Sequence, residues 1–94
     1  MKTEKLIKKF EENIYRYCDD NVKEKILFTG FTWMFPEYEK IAPAELANIT
    51  SIFVYDLVKK KILKNITKNF ESLYGLYEIL PHERLVKNIE KKLR

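Results

Sequence analysis

The side chains that most often perform catalysis or bind metals are few in this sequence and far apart along it. Its 94 residues include one cysteine, Cys18, and one histidine, His82. A structural zinc site needs about four Cys or His ligands, and an activated nucleophile needs a base within hydrogen-bond reach. The sequence has only two glycines and no glycine-rich phosphate loop. We expect a protein that is not an enzyme and that uses no metal or cofactor.

Acidic residues cluster just after Cys18. The carboxylates of Asp19, Asp20 and Glu24 are suitable ligands for a divalent cation, but acids at a helix junction more often cap a helix and complement its dipole. We therefore expect helix capping here. We expect Cys18 itself to be a half-buried residue at a helix end, and a disulfide between two subunits is the alternative.

His82 follows Pro81, and proline is favoured in the first turn of a helix. We expect His82 to lie on the surface in that first turn. The alternative is a pH-sensitive or ligand-binding histidine, because histidine is the side chain that most often changes its charge near neutral pH.

The basic residues are concentrated in the second half of the sequence. Residues 48–94 contain ten Lys or Arg against five Asp or Glu, whereas residues 1–47 contain eight against nine. Lysines at a helix end are often only a solvated surface that complements the dipole, and they also neutralise the phosphates of a polyanion. Both interpretations apply to Lys59, Lys60, Lys61, Lys64 and Lys68. The charge distribution favours a polyanionic partner.

Apolar residues recur every three or four positions through most of the first 60 residues, which is typical of amphipathic helices. We expect helices over 3–18, 22–35 and about 43–60, with a short helix or turn over 36–41. A strand is the alternative within 26–35, which is rich in β-branched and aromatic residues. The third helix also has β-branched residues, so a break near Asn48 is an alternative.

The period changes after residue 61. Residues 62–67 and 73–80 alternate as strands do and predict a β-hairpin, and Pro81 begins a last helix over 81–94. The length suits one domain with one core, so residues 1–94 are expected to form a single domain. The predicted fold class is mainly α with a two-stranded β-hairpin, that is, α+β.

This order of elements over residues 22–94 resembles the winged helix-turn-helix transcriptional regulators. The family's recognition helix ends in leucine, charged residues and an apolar pair that enters the first strand of the wing, and a later strand leads into an amphipathic helix. The matching segments are Ala44-Glu45-Leu46-Ala47, Val54-Tyr55-Asp56-Leu57-Val58-Lys59-Lys60-Lys61-Ile62-Leu63-Lys64, Leu76-Tyr77-Glu78-Ile79-Leu80 and His82-Glu83-Arg84-Leu85-Val86. The family commonly has glycine where Lys61 stands. The resemblance implies a winged helix-turn-helix with an extra N-terminal helix over 1–20.

The resemblance also implies sequence-specific binding of double-stranded DNA by a small transcriptional regulator. Its recognition helix would enter the major groove, and its wing would lie along the backbone or in the minor groove. Polar residues off the expected buried stripe Leu46, Phe53 and Leu57 would contact bases, and the lysines would contact phosphates. The predicted DNA-binding residues are Asn48, Thr50, Ser51, Tyr55, Lys59, Lys60, Lys61, Lys64 and Lys68.

Small regulators of this kind are commonly homodimers, in which an extra N-terminal helix packs against the terminal helix of the second subunit. The resemblance therefore implies a homodimer. The apolar residues expected at its interface are Leu6, Phe10, Ile14, Tyr17, Leu85, Ile89 and Leu93.

A protein-interaction module without DNA binding is the alternative function, because winged helices also serve as docking domains. Its partner surface would be the aromatic run from Phe28 to Phe35, which includes Phe31 and Trp33 and otherwise belongs to the core. No apolar run approaches the roughly 20 residues that span a bilayer, and the residues after Met1 are charged. We expect a cytoplasmic, intracellular protein with no membrane partner.

Overall fold

Three α-helices and three short β-strands make up the described part of the chain, which comprises residues 2–68 and 75–86 of a computed structural model. The helices are α1 (Lys2–Asp20), α2 (Phe28–Thr32) and α3 (Pro43–Lys59). The strands are β1 (Lys25–Leu27), β2 (Leu63–Asn65) and β3 (Leu76–Ile79). A 3-10 turn, Tyr38–Lys40, lies between α2 and α3. The predicted α+β class is confirmed.

The amphipathic pattern of the N-terminal segment produces α1. Phe10, Ile14 and Cys18 repeat every four residues, lie on one face of the helix and are fully buried. The exposed side carries charged residues, and Arg16 pairs with Glu12 one turn earlier at 2.8 Å. The helix predicted over 3–18 is confirmed and reaches Asp20. No helix among the described residues is both long and apolar enough to cross a membrane.

Helix α3 runs unbroken over 17 residues, so the alternative of a break near Asn48 is wrong. Pro43 occupies its first turn, where the missing amide proton costs no hydrogen bond. The hydroxyl of Thr50 donates to the carbonyl of Leu46, and Ser51 donates to Ala47 in the same way. These bonds satisfy both hydroxyls inside a helix whose β-branched residues lower its intrinsic propensity.

Lys61 ends α3 in a left-handed conformation with φ of 62°. Its amide donates to the carbonyl of Val58 at 3.0 Å, and the amide of Ile62 donates to the carbonyl of Leu57 at 2.9 Å. These two bonds form a Schellman motif, which usually has glycine at the left-handed position. Ile62 is buried just after it. The motif therefore turns the chain from α3 directly into β2.

The three strands form one antiparallel sheet in the order β1-β3-β2. The predicted pairing of the two later strands is confirmed, but the predicted two-stranded hairpin is wrong in strand number because β1 adds a third strand. The helix predicted over 22–35 is also wrong: its first part is β1, and only Phe28–Thr32 is helical. Pairing of Ile26 with Tyr77 on the distant β3 overrides the local helical spacing.

The core lies between α1, α2, α3 and one face of the sheet. Phe10 of α1 makes edge-on ring contacts with Phe35 at 5.1 Å and Phe53 at 5.6 Å between ring centroids. Leu63 and Ile79, opposite each other on β2 and β3, are buried against these helices. α1 is therefore part of the core itself.

The last predicted helix is described only at its start. Residues 81–84 are not helical, and helical backbone begins at Leu85. The predicted positions from 87 to 94, which include Ile89 and Leu93, lie outside the described residues, as do residues 69–74 between the two later strands.

Candidate nucleic-acid interface

One face of α3 is exposed along the whole helix. Asn48, Ile52, Tyr55 and Lys59 follow one another at intervals of four, three and four residues, so they lie in a row on that face. Ser51 lies beside this row and is also exposed. The side chains of Ile52 and Tyr55 are 67% and 66% exposed. The sequence-predicted Asn48, Ser51 and Tyr55 are therefore brought together on one surface.

Ile52 is the member of this row that sequence reasoning missed. Its position between Asn48 and Tyr55 is visible in the helical spacing. In the sequence, its apolar, β-branched side chain indicates only a weak helix former, whereas the structure leaves it in solvent at the middle of the exposed face.

Thr50, by contrast, is not part of this surface. Its side chain is fully buried, and its hydroxyl donates to the Leu46 carbonyl at 2.7 Å. The buried stripe of α3 consists of Leu46, Thr50, Val54 and Leu57, with Phe53 half-buried beside it. The predicted DNA contact of Thr50 is therefore wrong, because its side chain is fully buried in the core and cannot reach a base.

The basic end of α3 continues the exposed face. Lys59 is the last member of the row, and its ammonium lies 5.3 Å from the centroid of the Tyr55 ring in a cation–π contact. The Lys60 ammonium lies 2.9 Å from the Asp56 carboxylate, one turn earlier. Lys61 is exposed at the left-handed turn that follows.

Further lysines lie on the sheet, on the face turned away from α3, because Tyr77 and Ile79 of β3 occupy the buried face that packs toward the helices. Lys64 of β2 and Lys25 of β1 are both paired in register with Glu78 of the central β3, so the three side chains form a row across one face of the sheet. Lys64 and Lys25 are exposed. Lys68, beyond β2, is exposed as well. The row has two positive charges and one negative charge.

A groove of about 380 Å³ lies between α3 and the sheet. Ser51 and Tyr55, which lie on the exposed face of α3, also line this groove. Burial raises the pKa of the Tyr77 phenol above its usual value, so this group stays neutral. The residues that line the groove are Phe28, Ser51, Val54, Tyr55, Val58, Asn65 and Tyr77.

The apolar stripe of α1 that was expected at a dimer interface belongs to the core of its own chain. Phe10 and Ile14 are fully buried, so their predicted contact with a second subunit is corrected. Leu6, Tyr17 and Leu85 are partly buried and pack against the same core. The apolar spacing correctly predicted that this face of α1 is buried, but it is buried against other elements of the same chain.

Cys18 is fully buried, not half-buried as expected. Burial, with a smaller effect from the negative charge of Asp19, raises the pKa of the Cys18 thiol to about 12. A buried, protonated thiol is neither nucleophilic nor positioned to reach a second subunit.

The most connected polar pair joins the end of α1 to the segment after β3. Asp19 and His82 have side chains that are only 4% and 6% exposed. Oδ1 of Asp19 lies 3.0 Å from Nε2 of His82 and accepts the amide of Leu85, while Oδ2 accepts the amide of Val86. Nδ1 of His82 lies 2.7 Å from the carbonyl of Leu80. The expectation of a surface histidine is wrong.

Asp19 caps a helix start that is distant in sequence. Burial raises the pKa of its carboxyl group, but the hydrogen bonds from the amides of Leu85 and Val86, with the bond and charge of His82, outweigh burial and hold the pKa below 3.8. Asp19 is therefore ionised at neutral pH, and it stabilises the first amides of the segment that begins at Leu85. The carboxylate acts as a cap, as expected for an acid at this junction. It caps the helical start at Leu85, and not an element that directly follows α1.

The predicted aromatic run is mostly internal. Phe28, Phe31 and Phe35 are buried in the core. Trp33, however, is 67% exposed, and its ring lies 5.3 Å from that of Tyr38, which is 39% exposed. The surface available for protein docking on this run is therefore reduced to this aromatic pair and its immediate neighbours.

Among the described residues, no group of three or more His, Cys, Asp or Glu side chains is placed to hold a metal ion. Comparisons of the chain with protein-family models, with curated proteins and with solved structures found no match. The function is therefore inferred from the geometry and charge of the surfaces described above.

Proposed function

We propose that this protein binds double-stranded DNA in a sequence-specific manner, as a small winged helix-turn-helix transcriptional regulator. The observation that carries the proposal is the exposed face of α3. It presents Asn48, Ser51 and Tyr55 and continues into Lys59 over the Tyr55 ring, and the exposed Lys60 and Lys61 follow at the helix end. Polar groups that can read base edges thus lie beside cations that can neutralise phosphates.

The arrangement of elements supports the same proposal. α3 follows the shorter α2 after a connection that contains the 3-10 turn, and it leads through the Schellman turn into the antiparallel strands β2 and β3. A recognition helix with a wing requires this succession. The B-DNA major groove, about 12 Å wide, admits an α-helix whose exposed face reaches the base edges.

The two sets of residues would make different contributions to binding. Lysine–phosphate contacts are blind to sequence and weaken with salt, because each contact releases condensed counterions. Asn48 and Ser51 would supply the preference for one sequence, since amides and hydroxyls hydrogen-bond to base edges. The proposal therefore predicts both a salt-dependent affinity and a sequence preference.

The first experiment is a fluorescence-anisotropy titration of labelled duplex DNA at several salt concentrations. We expect the logarithm of the binding constant to fall linearly with the logarithm of salt concentration. The variant Lys60→Gln/Lys61→Gln/Lys64→Gln should bind more weakly, and its salt dependence should be less steep by about 0.9 for each phosphate that a lysine no longer neutralises. Absence of binding at low salt would refute the proposal.

A matched control removes three lysines from another surface. Lys5, Lys8 and Lys9 are exposed on α1, and their change to Gln gives the same loss of net charge. We expect this control to keep most of the affinity and slope of the wild-type protein. Equal losses in the two triple variants would show that net charge alone, and no defined surface, attracts the DNA.

A homodimer on DNA is part of the proposal. Two recognition helices related by two-fold symmetry would contact half-sites about 34 Å apart, or one turn of DNA. Because Phe10 and Ile14 are buried within one chain, the contact would use other surfaces than the α1 stripe. Sedimentation of the protein with a duplex of two half-sites measures the stoichiometry, and one chain per duplex would contradict the dimer.

The alternative of a protein-docking module retains one favourable observation, the exposed Trp33 beside Tyr38. Aromatic residues are enriched at the centres of protein interfaces. The substitution Trp33→Ala separates the two functions, because it removes this surface and leaves α3 unchanged. Loss of a protein partner with unchanged DNA titration would support docking by this pair, whereas an absence of any DNA binding would leave docking as the main function.

A further inference from the structure

We propose that Ile52 is a specificity-determining residue that contacts the C5-methyl group of a thymine, and that Asn48 beside it pairs with an adenine. The preferred DNA half-site would then contain A·T base pairs under the middle of α3. This inference rests on the proposed DNA binding and names the bases that the same surface would read.

The surroundings of Ile52 identify the kind of partner that would cover it. Its side chain is 67% exposed, and its neighbours along the row are the polar Asn48 and Tyr55. The row ends at the lysines of the α3 terminus, beginning with Lys59 above the Tyr55 ring. A partner that fits this face must be anionic at its edge and must present a small apolar group at its centre.

The major groove of DNA has this combination of properties. Its rims are phosphates, and the thymine methyl is the apolar group that the base edges present there. The methyl groups of isoleucine give an apolar contact with that methyl, while an asparagine amide bonds to N6 and N7 of adenine in a bidentate manner. Charge complementarity thus selects the polyanion, and Ile52 selects thymine within it.

Helix geometry limits how far apart the two bases are. Residues four positions apart are separated by about 6 Å along a helix axis. Successive nucleotides of one DNA strand are about 3.4 Å apart. The adenine read by Asn48 and the thymine read by Ile52 should therefore lie within about two base pairs of each other.

The experiment removes the methyl group from the DNA and the side chain from the protein, separately and together. A preferred duplex is first selected from a random pool with the wild-type protein, and each thymine is then replaced in turn by deoxyuridine, which lacks only the C5-methyl group. At one position, we expect the wild-type protein to lose roughly four- to tenfold in affinity. Ile52→Ala should lose a similar factor on the thymine duplex and should not distinguish thymine from uracil there.

A control variant tests whether the loss belongs to this position of the protein. Val22 is a β-branched residue, 36% exposed, in the connection between α1 and β1 and so not part of α3. The variant Val22→Ala should keep the full sensitivity to uracil. Circular dichroism of Ile52→Ala should be unchanged, because alanine at an exposed helix position favours the helix.

The outcomes separate this inference from the proposed function. Salt-dependent DNA binding in which no uracil substitution matters, or in which Ile52→Ala keeps the uracil effect, would overturn the role of Ile52 and leave DNA binding intact. An Ile52→Ala variant that binds as tightly as wild type would likewise show that Ile52 faces something other than DNA. A protein that binds no duplex at low salt would overturn both.

Discussion

Nε2 of His82 lies 3.0 Å from Oδ1 of Asp19, and 63 positions of sequence separate the two residues. The same carboxylate accepts the amides of Leu85 and Val86, so one side chain at the end of α1 fixes the histidine and the helix start beyond it. Both side chains are almost completely buried. The pair therefore ties the first helix to the segment that follows the last strand.

Replacing Asp19 by asparagine should destabilise the fold. The amide side chain keeps the shape but loses the charge, and one of its terminal groups is a donor that would face amide donors. Buried groups left without partners cost about 1–3 kcal/mol each, so we expect the free energy of unfolding to fall by about 2–3 kcal/mol. Urea denaturation at pH 7 measures the change. Asp20→Asn is the matched control, since Asp20 is exposed one residue later, and an equal loss there would contradict the role of Asp19.

The ionisation of Asp19 predicts a loss of stability in acid. Burial raises its pKa, but the amide and histidine hydrogen bonds hold the folded-state pKa below the ordinary value of 3.8. The unfolded chain therefore binds the proton first, and the stabilisation is complete above that ordinary value and decreases as the pH falls through the folded-state pKa. Urea denaturation at a series of pH values from 6 down to 2 should show this decrease in the wild type and a smaller one in Asp19→Asn. Identical pH profiles of the two proteins would refute the assignment.

Cys18 predicts a second pH dependence, on the alkaline side. Burial first, and the charge of Asp19 second, raise its pKa from 9.0 to about 12. The unfolded thiol loses its proton as the pH rises above 9.0, whereas the folded thiol keeps it, so stability should decrease between those two values. Comparison of Cys18→Ala with wild type by urea denaturation at pH 7 and pH 10 isolates the effect of the thiol. The difference in stability between the two proteins should shrink at pH 10, and a constant difference would contradict the buried thiol.

Local patterns in the sequence were sufficient to predict some of these elements. The spacing of Phe10, Ile14 and Cys18, with charged residues between them, predicts α1, because residues four positions apart lie on one face of a helix. β1 could not be recognised in the same way: it has three residues, and its hydrogen bonds come from β3, far along the chain. The contact between Asp19 and His82 could not be predicted from local patterns either, because it depends on how α1 and the segment after β3 are placed in three dimensions.

The sequence predicts the candidate site only where a polar side chain is also an exposed one. Asn48, Ser51 and Tyr55 were correctly expected on the solvent face of α3. Thr50, predicted to contact DNA, is buried, and Ile52, which was not singled out, is exposed on this face. A hydroxyl that bonds to its own helix loses most of the cost of burial, so residue type alone did not assign these two positions to the correct face.

The left-handed backbone of Lys61 identifies a substitution to glycine that should stabilise the protein. Its φ of 62° is unfavourable for a residue with a Cβ atom and neutral for glycine. Lys61→Gly should therefore raise the free energy of unfolding by about 1 kcal/mol, measured by urea denaturation. Lys60→Gly removes the same charge one residue earlier, where φ is −80°, and should lower stability instead. A loss of stability in Lys61→Gly would show that the lysine side chain contributes more than the left-handed strain costs.

The last prediction concerns how α3 divides affinity from specificity. Asn48→Ala and Ser51→Ala remove groups that can read bases, and both positions are exposed, so neither change should disturb the core. We expect each variant to lose about five- to a hundredfold in affinity for the selected duplex, the range of one base contact, with little change on random duplex DNA. The lysine variant Lys60→Gln/Lys61→Gln/Lys64→Gln should lose affinity for both duplexes by a similar factor, because phosphates are present in every sequence. Anisotropy titrations with the two duplexes at one salt concentration measure the ratio. If Asn48→Ala weakens binding to both duplexes equally, Asn48 contacts the backbone, and base reading must come from other residues of the exposed face.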